Sequence, residues 1–140
     1  RSIKIMKLFA FLLLTSQFLF ATDGYKVYQK HCQACHLQEP KKAWVLKNID
    51  KMLAPPMIEV SSHLKENIIV KDGDEDIHRE LVITFIKDYI QHPNIDKSFC
   101  RLGALDKFGV MPPIGKNLTI EERQAVAEWL FDFYEGKKFE

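Results

Sequence analysis

Apolar residues recur every three or four positions in four segments, and apolar–polar alternation is sustained nowhere, so the pattern predicts an all-α protein of about four short helices. The first is predicted over about residues 23–35, capped by Asp23, with Gly24, Tyr28 and Cys32 spaced by four on one side. The second follows Pro55–Pro56, with Met57, Val60, Leu64 and Ile68 as its apolar positions. The third begins near Asp74 or Asp76, carries a stripe of Ile77, Leu81, Val82, Phe85, Ile86, Tyr89 and Ile90, and is closed by Pro93. The fourth is the clearest. Thr119 and Glu122 can form a capping box, Val126, Trp129, Leu130 and Phe133 share a face, and Gly136 is expected to end it. Two stretches, 37–54 and 93–118, read as loose connections. Four short helices close a large apolar core poorly, so a flat apolar group at the centre is expected.

The segment before the first helix has another pattern. Arg1, Lys4 and Lys7 precede an apolar run from Leu8 to Phe20 that Thr15, Ser16 and Gln17 interrupt, and Ala21 follows. This is the charged, apolar and small-residue order of an export signal. A membrane anchor is the alternative, but the run is short of the roughly 20 apolar residues a span needs. Met6 before Lys7 would make a natural start. The expected organisation is a removable segment at 1–21 and one domain at 22–140.

Composition adds little: 46% of residues are hydrophobic, 28% are charged and the formal net charge is +1. Loss of Arg1, Lys4 and Lys7 from the 20 Lys and Arg leaves 17 basic residues against 19 acidic ones, a charge of −2. Such a balance supplies no basic field for nucleic acid. The alternating Asp72, Asp74 and Asp76 lack the Gly placement and closing Glu of a calcium loop, and at a helix start they suit the helix dipole.

The chemistry lies in Cys32-Gln33-Ala34-Cys35-His36, a C-x-x-C-H sequence. This is the attachment motif of a c-type haem. Two thiols three residues apart on one helix face can bond one porphyrin, and His36, four after Cys32, can ligate its iron. A disulfide or thioredoxin-like redox pair also uses C-x-x-C, but normally after a strand. Zinc could draw on Cys32, Cys35 and Cys100 or a His, without a second paired motif. Cys100 is an odd third thiol, read as a buried free cysteine.

From these residues the chain resembles the class I cytochromes c, over roughly 23–36 and 105–135. In that family a Gly and an aromatic residue precede the motif by eight and four positions, where Gly24 and Tyr28 stand here. The terminal helix crosses the first at that Gly, and Val126 and Trp129 are the matching contacts. The distal ligand is commonly a Met-Pro before the last helix, which Met111-Pro112-Pro113 matches. Met111 is therefore the implied sixth ligand, with Met57, His63, His78 and His92 as rivals. Tyr25, Trp44, Phe99 and Phe108 are candidate walls of the haem pocket. The family usually supplies a Pro carbonyl to the proximal His; neither Pro40 nor Pro55 sits in the usual setting, so that acceptor stays open.

The resemblance implies a cytochrome c-like fold around one covalent haem c, bound by Cys32, Cys35, His36 and Met111. It implies a periplasmic one-electron carrier, not an enzyme, that is monomeric and meets redox protein donors and acceptors transiently. The alternatives are a peroxidase-like haem enzyme and a membrane-tethered cytochrome subunit of a respiratory complex.

Overall fold

The computed structural model describes residues 21–140, so the expected export segment lies outside the described residues save for Ala21. Six α-helices and no strand occur among the described residues: α1 Gly24–His31, α2 Lys42–Asn48, α3 Met57–Asn67, α4 Glu75–Tyr89, α5 Leu102–Phe108 and α6 Ile120–Asp132. The all-α expectation stands, and the four predicted helices correspond to α1, α3, α4 and α6.

Local chemistry starts these helices where the sequence signals it. The Asp23 carboxylate accepts the Tyr25 and Lys26 amides at 3.0 and 3.4 Å, satisfying donors with no partner inside α1. Asp74 does the same for the Ile77 amide of α4 at 2.9 Å. The capping box of α6 is complete, with Glu122 N–H on Thr119 Oγ1 at 3.1 Å and Thr119 N–H on Glu122 Oε2 at 3.0 Å.

α6 is the axis of the core. α1 and α4 pack most extensively on it, and α3 lies against both α4 and α6. Val27, Tyr28, Met57, Leu64, Val82, Ile83, Ile86, Val126, Leu130 and Phe131 are buried together there. The C-terminal end of α6 is fastened by cations, which the helix dipole favours. Lys65 Nζ donates to the Phe131 carbonyl at 2.7 Å, and Arg79 grips Asp132 through Nε and Nη2 at 2.9 and 2.7 Å.

Four expectations need correction. α1 ends at His31, and residues 32–35 continue as turns rather than helix. Of the expected stripe, Val82, Phe85, Ile86 and Ile90 pack in the core together with Ile83, whereas Ile77 and Leu81 are 51% and 46% exposed. A helix turns about 100° per residue, so facing residues 82, 83 and 86 to α6 rotates 77 and 81 outward. α6 ends at Asp132, and Gly136, at φ 68°, belongs to the turn beyond it. The two loose stretches hold α2 and α5, with 3-10 turns at Ile49–Lys51, Ile95–Lys97 and Ile114–Asn117.

α1 and α6 cross at Gly24. A Cβ built there would lie 2.6 Å from Trp129 Cβ and would collide with the Ala125 carbonyl. Ala125, rather than the expected Val126, is therefore the backbone contact beside Trp129; Val126 is buried in the core nearby. The missing side chain is what lets the backbones approach. Gly24→Ala is expected to cost about 3 kcal/mol, because relief needs a shift of packed backbone. A urea titration followed by circular dichroism checks it, against Gly103→Ala, where nothing lies within 4 Å of the added carbon.

Candidate haem site

The motif leaves the end of α1 in two tight turns. The Cys32 amide donates to Tyr28 O at 2.8 Å, and the His36 amide to Cys32 O at 2.9 Å. The second bond spans four residues, so His36 stays one turn beyond Cys32 although the helix has ended. Cys32 packs against the core, Cys35 is exposed, and both are free thiols. Burial first, then the neighbouring Cys35, pushes the Cys32 thiol up to about 11.

His36 is held at both ends. Its Nδ1 lies 2.7 Å from the Pro55 carbonyl. A carbonyl oxygen only accepts, so Nδ1 carries the proton and Nε2 keeps its lone pair. Burial holds the imidazole below its ordinary value, against the opposing effect of the Pro55 bond, so the neutral form that a metal requires is favoured. The His36 carbonyl in turn accepts the Tyr28 hydroxyl at 2.7 Å. Burial first, then Cys32 and Tyr25, pushes that hydroxyl up to about 12 and keeps it a donor. Tyr28 stacks on Trp129 of α6 at 4.7 Å between ring centres, which ties the motif to the helix crossing.

The flanking segments present apolar surface. Leu37, Trp44, Leu46, Ile49 and Leu53 before α3, and Ile95, Phe99, Leu102 and Val110 after α4, are exposed. α5 buries none of its residues. A shallow groove of about 420 Å³ adjoins the motif, lined by Leu37, Gln38, Pro40, Lys41 and Trp44. Lys107 Nζ meets Asp50 Oδ1 at 3.1 Å and links the two segments.

Met111 is half-buried in the extended stretch between α5 and the turn at Ile114–Asn117. That turn is anchored firmly. Gly115 N–H donates to Ile90 O at 2.8 Å, and Arg123 Nη1 reaches Leu118 O at 2.6 Å and Gly115 O at 3.2 Å. The rival ligands are engaged elsewhere. Met57 is buried in the core, His78 Nε2 meets Lys65 O at 3.1 Å, and His92 Nδ1 meets Asp88 at 3.1 Å. His63 sits on α3, where its Nδ1 lies 3.4 Å from Asn67 Nδ2. Tyr25 belongs to the aromatic cluster at the helix crossing, 5.5 Å from Trp129, whereas Phe99 packs at a tilt against Phe85 at 4.9 Å. Trp44 is 47% exposed and Phe108 half-buried; Cys100 is half-buried rather than buried.

A family described as cytochrome c oxidase, cbb3-type, subunit III matches residues 20–130. The chain belongs to this family of c-type cytochromes. A protein of Aquifex aeolicus (strain VF5), described as uncharacterized, is 42% identical over 130 residues, covering 83% of this chain and 80% of its own length. No solved structure matches. Membership of a c-type cytochrome family implies haem binding and haem-based electron transfer, and the residues fit that group. They include two free thiols, a neutral imidazole with Nε2 available, and the apolar groove at Leu37, Pro40 and Trp44 next to the motif.

The sequence left the acceptor open between Pro40 and Pro55, because Pro55 lies 19 residues from His36 and lacks the family's usual neighbours; the structure selects Pro55. Its one available signal was the start of α3 at the Pro pair.

Burial of the Tyr28 hydroxyl gives it a signed pH dependence. Its folded value is raised above the unfolded value near 10, so its stabilisation is complete below pH 10 and is lost as pH rises towards about 12. Tyr28→Phe is expected to lose about 1 kcal/mol at pH 7 and to flatten this alkaline slope. Urea unfolding at intervals from pH 7 to 11 checks both, and an unchanged slope would refute the assignment.

Proposed function

We propose that this cytochrome is a one-electron carrier with a single haem c bonded through Cys32 and Cys35, its iron held by His36 and Met111. The hydrogen bond from His36 Nδ1 to Pro55 O carries this reading, because it fixes the tautomer and leaves Nε2 as the ligating atom. The haem supplies an Fe(II)/Fe(III) couple. The chain's own residues bind it, orient it and keep water away.

Cys32 and Cys35 fasten the group to the end of α1, and the Gly24 crossing fastens α1 to α6. His36 enters as neutral imidazole. Met111 brings a soft thioether with no proton to lose, on a stretch whose following turn Ile90 and Arg123 anchor. Two protein ligands leave no position for a substrate, which favours a carrier over a peroxidase-like enzyme. The exposed apolar residues of 37–53 and 95–110 would supply the lining for the macrocycle.

The pattern at residues 1–21 supports export and a periplasmic location. Donors and acceptors would be redox proteins, met through small and transient contacts by a monomer. The description of the matched family favours one second reading, in which the same site passes electrons as a subunit of an oxidase. No helix of the described residues is long and apolar enough to cross a membrane.

Expression with haem-maturation machinery tests the site. Haem staining should survive denaturation in the native chain and be lost in the Cys32→Ser, Cys35→Ser double variant. The ferric near-infrared Met–iron band should be present, vanish in Met111→Ala and persist in Met57→Leu. Its persistence in Met111→Ala would sink the ligand assignment, and carbon monoxide binding without denaturant would favour the enzyme reading. Co-purification of the native chain with oxidase subunits from its membranes would favour the second reading.

A further inference from the structure

We propose that Tyr134, just beyond α6, is a positioning residue for the His36 imidazole, acting through the peptide carbonyls of residues 36–38. The inference rests on His36 being the iron ligand. Three successive carbonyls after the motif are held by the core. His36 O accepts the Tyr28 hydroxyl at 2.7 Å, and Leu37 O accepts the Met57 amide at 2.7 Å. Gln38 O accepts both the Ile58 amide at 3.2 Å and the Tyr134 hydroxyl at 3.0 Å.

These bonds form one register with the imidazole. Met57 and Ile58 open α3, where amides lack partners within the helix and can donate outward. Pro55, the acceptor for Nδ1, lies two residues before Met57 in the same stretch. Segment 36–38 thus lies along 55–58, joined at one end by the imidazole and at the other by Gln38. The amide bond at the Gln38 end is the longest of the set, and Tyr134 reinforces it there.

Tyr134 is 2% exposed, so its hydroxyl has no ready solvent partner to replace Gln38. The tail beyond it repeats the attachment. Lys137 Nζ meets Glu39 Oε1 at 2.8 Å, and the Lys42 amide donates to Glu140 O at 2.8 Å.

An imidazole that donates strongly through Nδ1 is a more basic ligand through Nε2, which stabilises ferric over ferrous iron. Slackening the Gln38 end should lengthen the Pro55 bond, weaken that donation and favour the reduced form. The test uses the full haem-loaded chain. At a fixed potential near the native midpoint, Tyr134→Phe should raise the ferrous-to-ferric ratio about two-fold or more. Lys137→Gln, which cuts the tie to Glu39 without entering the core, should move the ratio the same way by less. Arg79→Ala loosens the same end of α6 without touching residues 36–38 and should leave the ratio unchanged. The paramagnetically shifted His36 ring protons should move in Tyr134→Phe and not in Arg79→Ala.

A Tyr134→Phe protein that melts earlier but keeps the native ratio and proton shifts would overturn the proposal. So would a fall in the ratio, or an equal rise in Arg79→Ala. The ligand reading fails separately: a native low-spin spectrum that survives His36→Ala would refute it whatever Tyr134 does.

Discussion

One hydrogen bond, from the His36 ring to the Pro55 carbonyl, constrains everything around the motif. For it to form, the chain after Cys35 must run beside the start of α3, and that start must be free to offer its backbone. Two prolines make it so. Pro56 is buried and has no amide of its own, so the first donors of α3 are Met57 and Ile58, and both turn to the chain after the motif. The crossing of α1 over α6 at Gly24 then sets the height at which the motif meets this edge. Without the close approach, the Tyr28 ring would not lie flat on Trp129 while its hydroxyl reaches His36.

The molecule divides its apolar residues between two tasks. Most of those of α1, α3, α4 and α6 bury one another around the α6 axis. Those of α2, α5 and their connections face outward, as Leu102 and Leu53 do at 81% and 68% exposure. A protein core gains from burying such side chains at about 25 cal/mol per Å². In these segments that gain is not realised within the chain.

This division explains what was legible in the sequence. The helices that pack on one another show their periodicity and caps plainly, and Asp23, Asp74 and Thr119 act where their types suggest. The α4 stripe was legible at Val82, Phe85 and Ile86, but Ile77 and Leu81 are as apolar as Ile83, and only packing on α6 distinguishes them. α2 and α5 stayed hidden because they are seven residues each and bury almost nothing within the chain, so no stripe marks them. The C-x-x-C-H motif was readable because its chemistry is local. Its support was not: Pro55 and Tyr134 act across 19 and 96 residues of sequence, and no spacing rule reaches that far.

The tie between Tyr134 and Gln38 also has a bearing on time. A chain is synthesised from its N-terminus, so the two motif cysteines exist long before the residue that closes the segment behind them. During that interval the thiols and the imidazole sit on a tether whose final register is still unmade. A contact this distant in sequence forms late in folding, because the entropy of closing the intervening loop must be overcome first. The motif is therefore most open to whatever handles it while the rest of the chain is still arriving, and it becomes rigid only when the last helix docks.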